Sequence, residues 1–180
     1  MRRNDTFRVA LGGLLSAAAV AILFFGSILP FATFLAPAAA SLAVLYFCLE
    51  YNRKTALLVY AVIATLALLL APDKELALLF AVFLGYYPIA KTLIEKLRSK
   101  PLKWALKLTI CNVTTLSLYW IITQVLVIEA VRDEFAAYTT ALVVALVLLG
   151  NATFVIFDVA LTRLSMLYLV KYRPKLTRNH

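Results

Sequence analysis

Residues 50–75 read EYNRKTALLVYAVIATLALLLAPDKE. Between the cationic pair Arg53-Lys54 and the polar turn Pro72-Asp73-Lys74-Glu75, the run 55–71 carries no charged side chain. About 17 residues rising ~1.5 Å each nearly match a hydrocarbon core of ~30 Å, so the stretch predicts a transmembrane helix. It also predicts an orientation. Lys and Arg collect in cytoplasmic loops, which puts the Arg53 end inside and the acidic Asp73 turn outside.

Working outward from this span, the same alternation repeats. Towards the N-terminus lie the apolar runs 31–49 and 9–29, the latter preceded by Arg2, Arg3 and Arg8 and closed by Pro30, which cannot continue an established helix. Towards the C-terminus a fourth run spans 76–97 and ends in the most basic loop, with Lys96, Arg98, Lys100 and Lys103 around Pro101. A fifth, 104–128, leads to Glu129, Arg132, Asp133 and Glu134. A sixth, 138–161, passes Asp158 and continues as a helical end and basic tail over 162–180, stopped by Pro174. With these boundaries only Lys74 and Arg132, of the 18 Lys and Arg residues, fall on the outer side. The expected fold is all-α: one polytopic membrane domain of six transmembrane helices, both termini cytoplasmic, in a bacterial plasma membrane.

The composition agrees. At 180 residues, 64% hydrophobic and 15% charged, with mean hydropathy +0.92, the chain has too little polar surface to coat a soluble globule. The formal net charge of +9 resides at span ends, where it anchors helices against anionic lipid. The bilayer, not nucleic acid, is the partner this implies. A cleaved signal peptide is the competing reading of the first run, with Ala38–Ala40 resembling a cleavage site. The run is too long for an ordinary signal core, and those alanines lie too far beyond it.

Chemistry-bearing motifs are sparse. Cys48 and Cys111 sit inside apolar runs without metal-ligand spacing, and the one histidine is His180. HExxH, Walker A, CxxC and Ser-His-Asp patterns are absent, so neither an enzyme nor a metal or cofactor is expected. Asn112-Val-Thr and Asn151-Ala-Thr match the glycosylation pattern, but membrane burial excludes modification there.

The informative polar residues lie inside the spans. In the fourth, Gly85-Tyr86-Tyr87-Pro88 interrupts the helix, and Pro88 frees a carbonyl one turn earlier. Tyr86 and Tyr87 then read either as phenols in the wall of a solute pocket or as partners for a neighbouring helix. In the fifth, Cys111, Thr115, Tyr119 and Thr123 recur every four residues and share one stripe, which lines a cavity or bonds helices together. Asn112, Asn151 and the tyrosine pair fall at similar depth and suggest a shared polar layer. Nearer the cytoplasm, Lys91 and Asp158 lie at matching depth and are expected to form a buried ion pair, whereas Lys107 is expected to snorkel to the interface.

On helix one, residues 10–21 read ALGGLLSAAAVA, in which Gly13, Ala17 and Ala21 form a small-residue ridge that allows close helix packing in lipid. Six helices in about this length, with such a ridge and no energy-converting motif, resemble the substrate-binding S component of energy-coupling factor transporters. The resemblance implies capture of a small solute near the outer face. It implies docking through helix one onto a transmembrane T subunit driven by two cytoplasmic ATPases. Gly13, Ala17 and Ala21 would be the docking residues, and Tyr86, Tyr87, Asn112, Thr115, Tyr119, Thr123 and Asn151 the candidate solute contacts. One departure is the short connection at Pro30-Phe31: either helix two begins later, leaving 30–37 as a lid, or there is no lid. The alternative is a non-transport scaffold of the cell-envelope or rod-shape machinery.

Overall fold

Polar residues set the ends of the central helices. In the computed structural model, which describes residues 3–29, 32–125 and 138–172, the Asn52 side chain accepts from the Thr55 N–H at 2.9 Å and starts α3 (Arg53–Leu70). The Lys74 ammonium closes its other end, donating to the Leu68 and Ala71 carbonyls at 3.0 Å each. Two residues further on, Asp73 accepts from the Glu75 and Leu76 N–H groups and starts α4 (Lys74–Leu79). The Pro72-Asp73 connection is therefore short because one turn seals both helices.

Before these come α1 (Arg3–Gly26) and α2 (Leu35–Glu50), and after them a π-helical turn over Phe80–Leu84, then α5 (Tyr87–Ile94). The C-terminal half contains α6 (Lys100–Trp120), extended by a π turn at Ile121–Val125, and α7 (Thr140–Leu167), extended by another at Tyr168–Tyr172. No strand occurs among the described residues. Five helical stretches in them are long and apolar enough to cross a membrane: Thr6–Gly26, Arg53–Leu70, Lys74–Ile94, Lys100–Gln124 and Thr140–Lys171. Leu35–Glu50 is a shorter apolar helix.

Several helix boundaries differ from expectation for identifiable reasons. The second run begins at Leu35, not residue 31, and Pro37 sits in its first turn, where no intrahelical N–H is required. That is the later start which the sequence left open. The loop drawn around Pro101 is already helix, because proline suits the first turn of α6. The sixth run continues in helical form to Tyr172, as expected. The acidic connection at 129–134 and the tail from Arg173, with Pro174, lie outside the described residues.

The chain packs as two compact units, Met1–Leu97 and Arg98–His180. In the first, α1, α2 and α3 pack pairwise, and α2 also meets α5 and the π turn. The core is unusually fine-grained: Ala19, Ala40, Ala56, Ala67 and Ala77 are buried beside Leu23, Val44, Phe47, Ile63 and Phe80. Small side chains on facing helices permit the close packing through which these helices associate. Gly26 shows how close: a Cβ there would lie 2.3 Å from the Ala36 Cβ.

The π turn also depends on a missing side chain. The Gly85 N–H donates to the Phe80 carbonyl five residues back at 2.8 Å, and a Cβ on Gly85 would lie 2.7 Å from that oxygen and 2.8 Å from the Phe80 ring. From α3, the Tyr60 hydroxyl donates to the Ala81 carbonyl inside the turn at 2.5 Å. The break expected at Gly85–Pro88 thus begins five residues earlier, as a hydrogen-bond shift, and Pro88 sits at the start of a new helix.

In the second unit, α6 and α7 bury few side chains: Lys107 and Cys111 on α6, and Phe154, Asp158 and Leu161 on α7. What joins them is polar.

Candidate functional site

Two polar layers connect α6 and α7. In one, Lys107 Nζ lies 2.8 Å from Asp158 Oδ2, with side chains 5% and 3% exposed. The ammonium also sits 5.2 Å from the centroid of the Trp104 ring, one turn earlier on α6. Lys107 is therefore not the snorkelling residue expected from the sequence. A buried cation needs a counter-charge at this depth, and Asp158 supplies it. Lys91 is buried in α5 of the first unit. Its expected partner, Asp158, belongs to α7 of the second unit.

In the other layer, Asn112 and Asn151 exchange reciprocal hydrogen bonds of 3.0 and 3.1 Å between their side-chain amides. Each amide uses its second N–H on a carbonyl one turn back in its own helix, Leu108 and Val147, at 2.8 Å. Both donors of both residues are engaged, so the pair fixes the two helices in antiparallel register. The layers lie five residues apart on α6 and seven on α7, a separation of roughly 8–10 Å.

The threonines of the candidate stripe look inward to their own helix. Thr115 donates to the Cys111 carbonyl at 2.8 Å and Thr123 to the Tyr119 carbonyl at 2.9 Å. Thr114 and Ser117 do the same with Ile110 and Val113. Such i−4 bonds satisfy a hydroxyl without a cavity or a partner helix. Of the candidate solute contacts, Asn112, Thr115, Tyr119, Thr123 and Asn151 belong to the second unit; the two asparagines bond each other across the helices, and Thr123 bonds the Tyr119 carbonyl within its own. Tyr86 and Tyr87 belong to the first. Tyr87 is fully buried with its ring edge-on to Phe83, and Tyr86 meets Tyr60 edge-on. Sequence reasoning missed Tyr60, whose spacing marks it only as one more aromatic residue in an apolar run.

The docking candidates share one environment. Gly13, Ala17 and Ala21 all lie on the exposed face of α1, while Ser16, Ala19, Val20 and Leu23 face the core. A Cβ on Gly13 would meet no atom within 4 Å. Beside this ridge runs an apolar groove of about 430 Å³ between α1 and α2, lined by Leu11, Leu15, Ala18 and Ile22 on one wall and Ala39 and Ala43 on the other, with Tyr46 at one end. None of the candidate solute contacts lines it.

No family model, curated protein or solved structure matches this chain.

Proposed function

We propose that the chain is an S-component-like membrane protein, which binds a small solute and delivers it through a partner transport module comprising a transmembrane T subunit and cytoplasmic ATPases. In this reading it crosses a bacterial plasma membrane six times with both termini cytoplasmic. Leu35–Glu50 provides the sixth crossing. Its 16 residues reach ~24 Å, and local thinning or packing against neighbours accommodates the mismatch.

The observation that carries the proposal is the open ridge. A helix whose small residues served internal packing would turn them to the core, as α2 does with Ala36 and Ala40. Helix α1 turns Ser16, Ala19 and Gly26 to the core in the same way, but it also points Gly13, Ala17 and Ala21 outward, where a partner helix can approach closely. The tyrosines among the candidate contacts suit an aromatic or amphipathic solute.

One observation favours the second reading, a scaffold of the cell-envelope or rod-shape machinery. The hydroxyls and amides of the second unit satisfy one another or their own helices, as a protein with no solute requires. Purification from native membranes separates the two. Transport predicts recovery of an ATPase pair, lost in Gly13→Leu and Ala17→Leu while the protein stays folded; a stable complex containing no ATPase contradicts it.

A further inference from the structure

The groove between α1 and α2 ends in a built cationic mouth. Arg8 lies one turn before Leu11, and its guanidinium stands 5.7 Å from the centroid of the Tyr51 ring. Tyr51 stacks on Phe47 at 5.3 Å and meets Tyr46, the groove's end residue, edge-on at 6.5 Å. Arg53 and Lys54 open α3 just beyond, and Glu50 closes α2 at this end. Among the described residues, no carboxylate forms a salt bridge with Arg8.

The groove itself is almost wholly aliphatic. From Leu11 to Ile22 it follows α1 for twelve residues, roughly 16 Å, about half of a ~30 Å hydrocarbon core. Its depth comes from alanine on both walls, Ala18 and Ala19 against Ala39, Ala40 and Ala43. A slot one leaflet long, dry along its length and cationic with aromatic flanks at one end, has the polarity of a single phospholipid: acyl chain, interfacial belt, anionic headgroup.

We propose that this groove is a specific phospholipid site, which takes one acyl chain along α1 and α2 and holds an anionic headgroup at Arg8. The bound chain fills the hollow that the alanines leave. The site lies beside the Gly13–Ala17–Ala21 ridge and does not depend on the transport reading. Its occupant is a lipid from the leaflet at the Arg8 end, with the phosphate accepting from the guanidinium.

The test uses the full-length protein in detergent, with native mass spectrometry and thermal shift on adding phosphatidylglycerol, phosphatidylcholine of the same chains, or glycerol phosphate. One phosphatidylglycerol per protein is expected to persist and raise Tm more than phosphatidylcholine does, and glycerol phosphate to give no shift. Arg8→Gln is expected to bind phosphatidylglycerol about fivefold more weakly and to lose the headgroup preference. Ala18→Leu, which adds bulk at an exposed groove position, is expected to lose retained lipid of both kinds while its lipid-free Tm stays unchanged. Equal retention of the two lipids by the unaltered protein overturns the proposal. So does undiminished phosphatidylglycerol retention in Ala18→Leu, which marks general electrostatic attraction without a groove, and so does a shift produced by glycerol phosphate alone.

Discussion

The two units use different means to hold helices together. In the first, alanines and Gly26 bring α1, α2 and α3 into close contact around Phe47 and Ile63, and the buried surface is nearly all apolar. In the second, α6 and α7 bury little but are joined by a charge pair and an amide pair. The difference teaches where each unit is vulnerable. Close packing fails by addition of volume, whereas polar pairing fails by removal of one partner.

The largest effect is expected at the charge pair. Asp158→Leu leaves the Lys107 ammonium buried without its carboxylate and is expected to cost about 3–5 kcal/mol, read from unfolding in bicelles. Lys107→Leu combined with Asp158→Leu is expected to recover most of that loss. The same cycle run with Lys91→Leu tests the proposed Lys91 to Asp158 pairing: Lys91→Leu destabilises, the double variant regains part of the loss, and absence of any recovery removes Lys91 from the pair. Next in size, Gly26→Ala drives a methyl group into Ala36 and is expected to cost about 1–3 kcal/mol, the signature of overpacking in the first unit. Asn112→Leu breaks the amide pair for about 0.6–2 kcal/mol, with the Asn151→Leu double variant losing less than the sum of the singles. The smallest change is at Gly13→Leu, where open space predicts a stability within about 0.5 kcal/mol of the unaltered protein. If Gly26→Ala proved neutral and Asn112→Leu severe, the contrast between the units would need redrawing.

Much of the helix layout is legible in the apolar runs. The run 55–71 became Arg53–Leu70, and the expected continuation of the last helix to Tyr172 is present. Hydropathy reports how long an apolar stretch is, and that is most of what a spanning helix requires. It does not report which way a residue faces, and the misassignment of Lys107 follows from this. Counting residues along the helices matches Lys91 with Asp158 and sets Lys107 slightly nearer the surface, a difference too small to decide which lysine faces the carboxylate. A usable signal was present: once Asn112 and Asn151 are set at one level in antiparallel register, the next charged residues down are Lys107 and Asp158. The π turn is less legible, because one shifted hydrogen bond at Gly85 changes no composition and no periodicity. The same limit applies to the threonine stripe. Spacing of four shows that Thr115 and Thr123 share a face but not that each bonds its own backbone.

The two units also differ in what they leave exposed. Both α1 and α7 present large side chains, such as Leu14 and Leu148, and α1 adds the small ridge beside a groove. In the proposed function, α1 is the docking helix. A photo-crosslinking residue placed at Ala17, and in a separate variant at Leu148, in native membranes tests it most directly. The account predicts a protein adduct at Ala17 that co-purifies with an ATPase pair, and lipid adducts alone at Leu148; the reverse pattern, or an Ala17 adduct with lipid only, contradicts it.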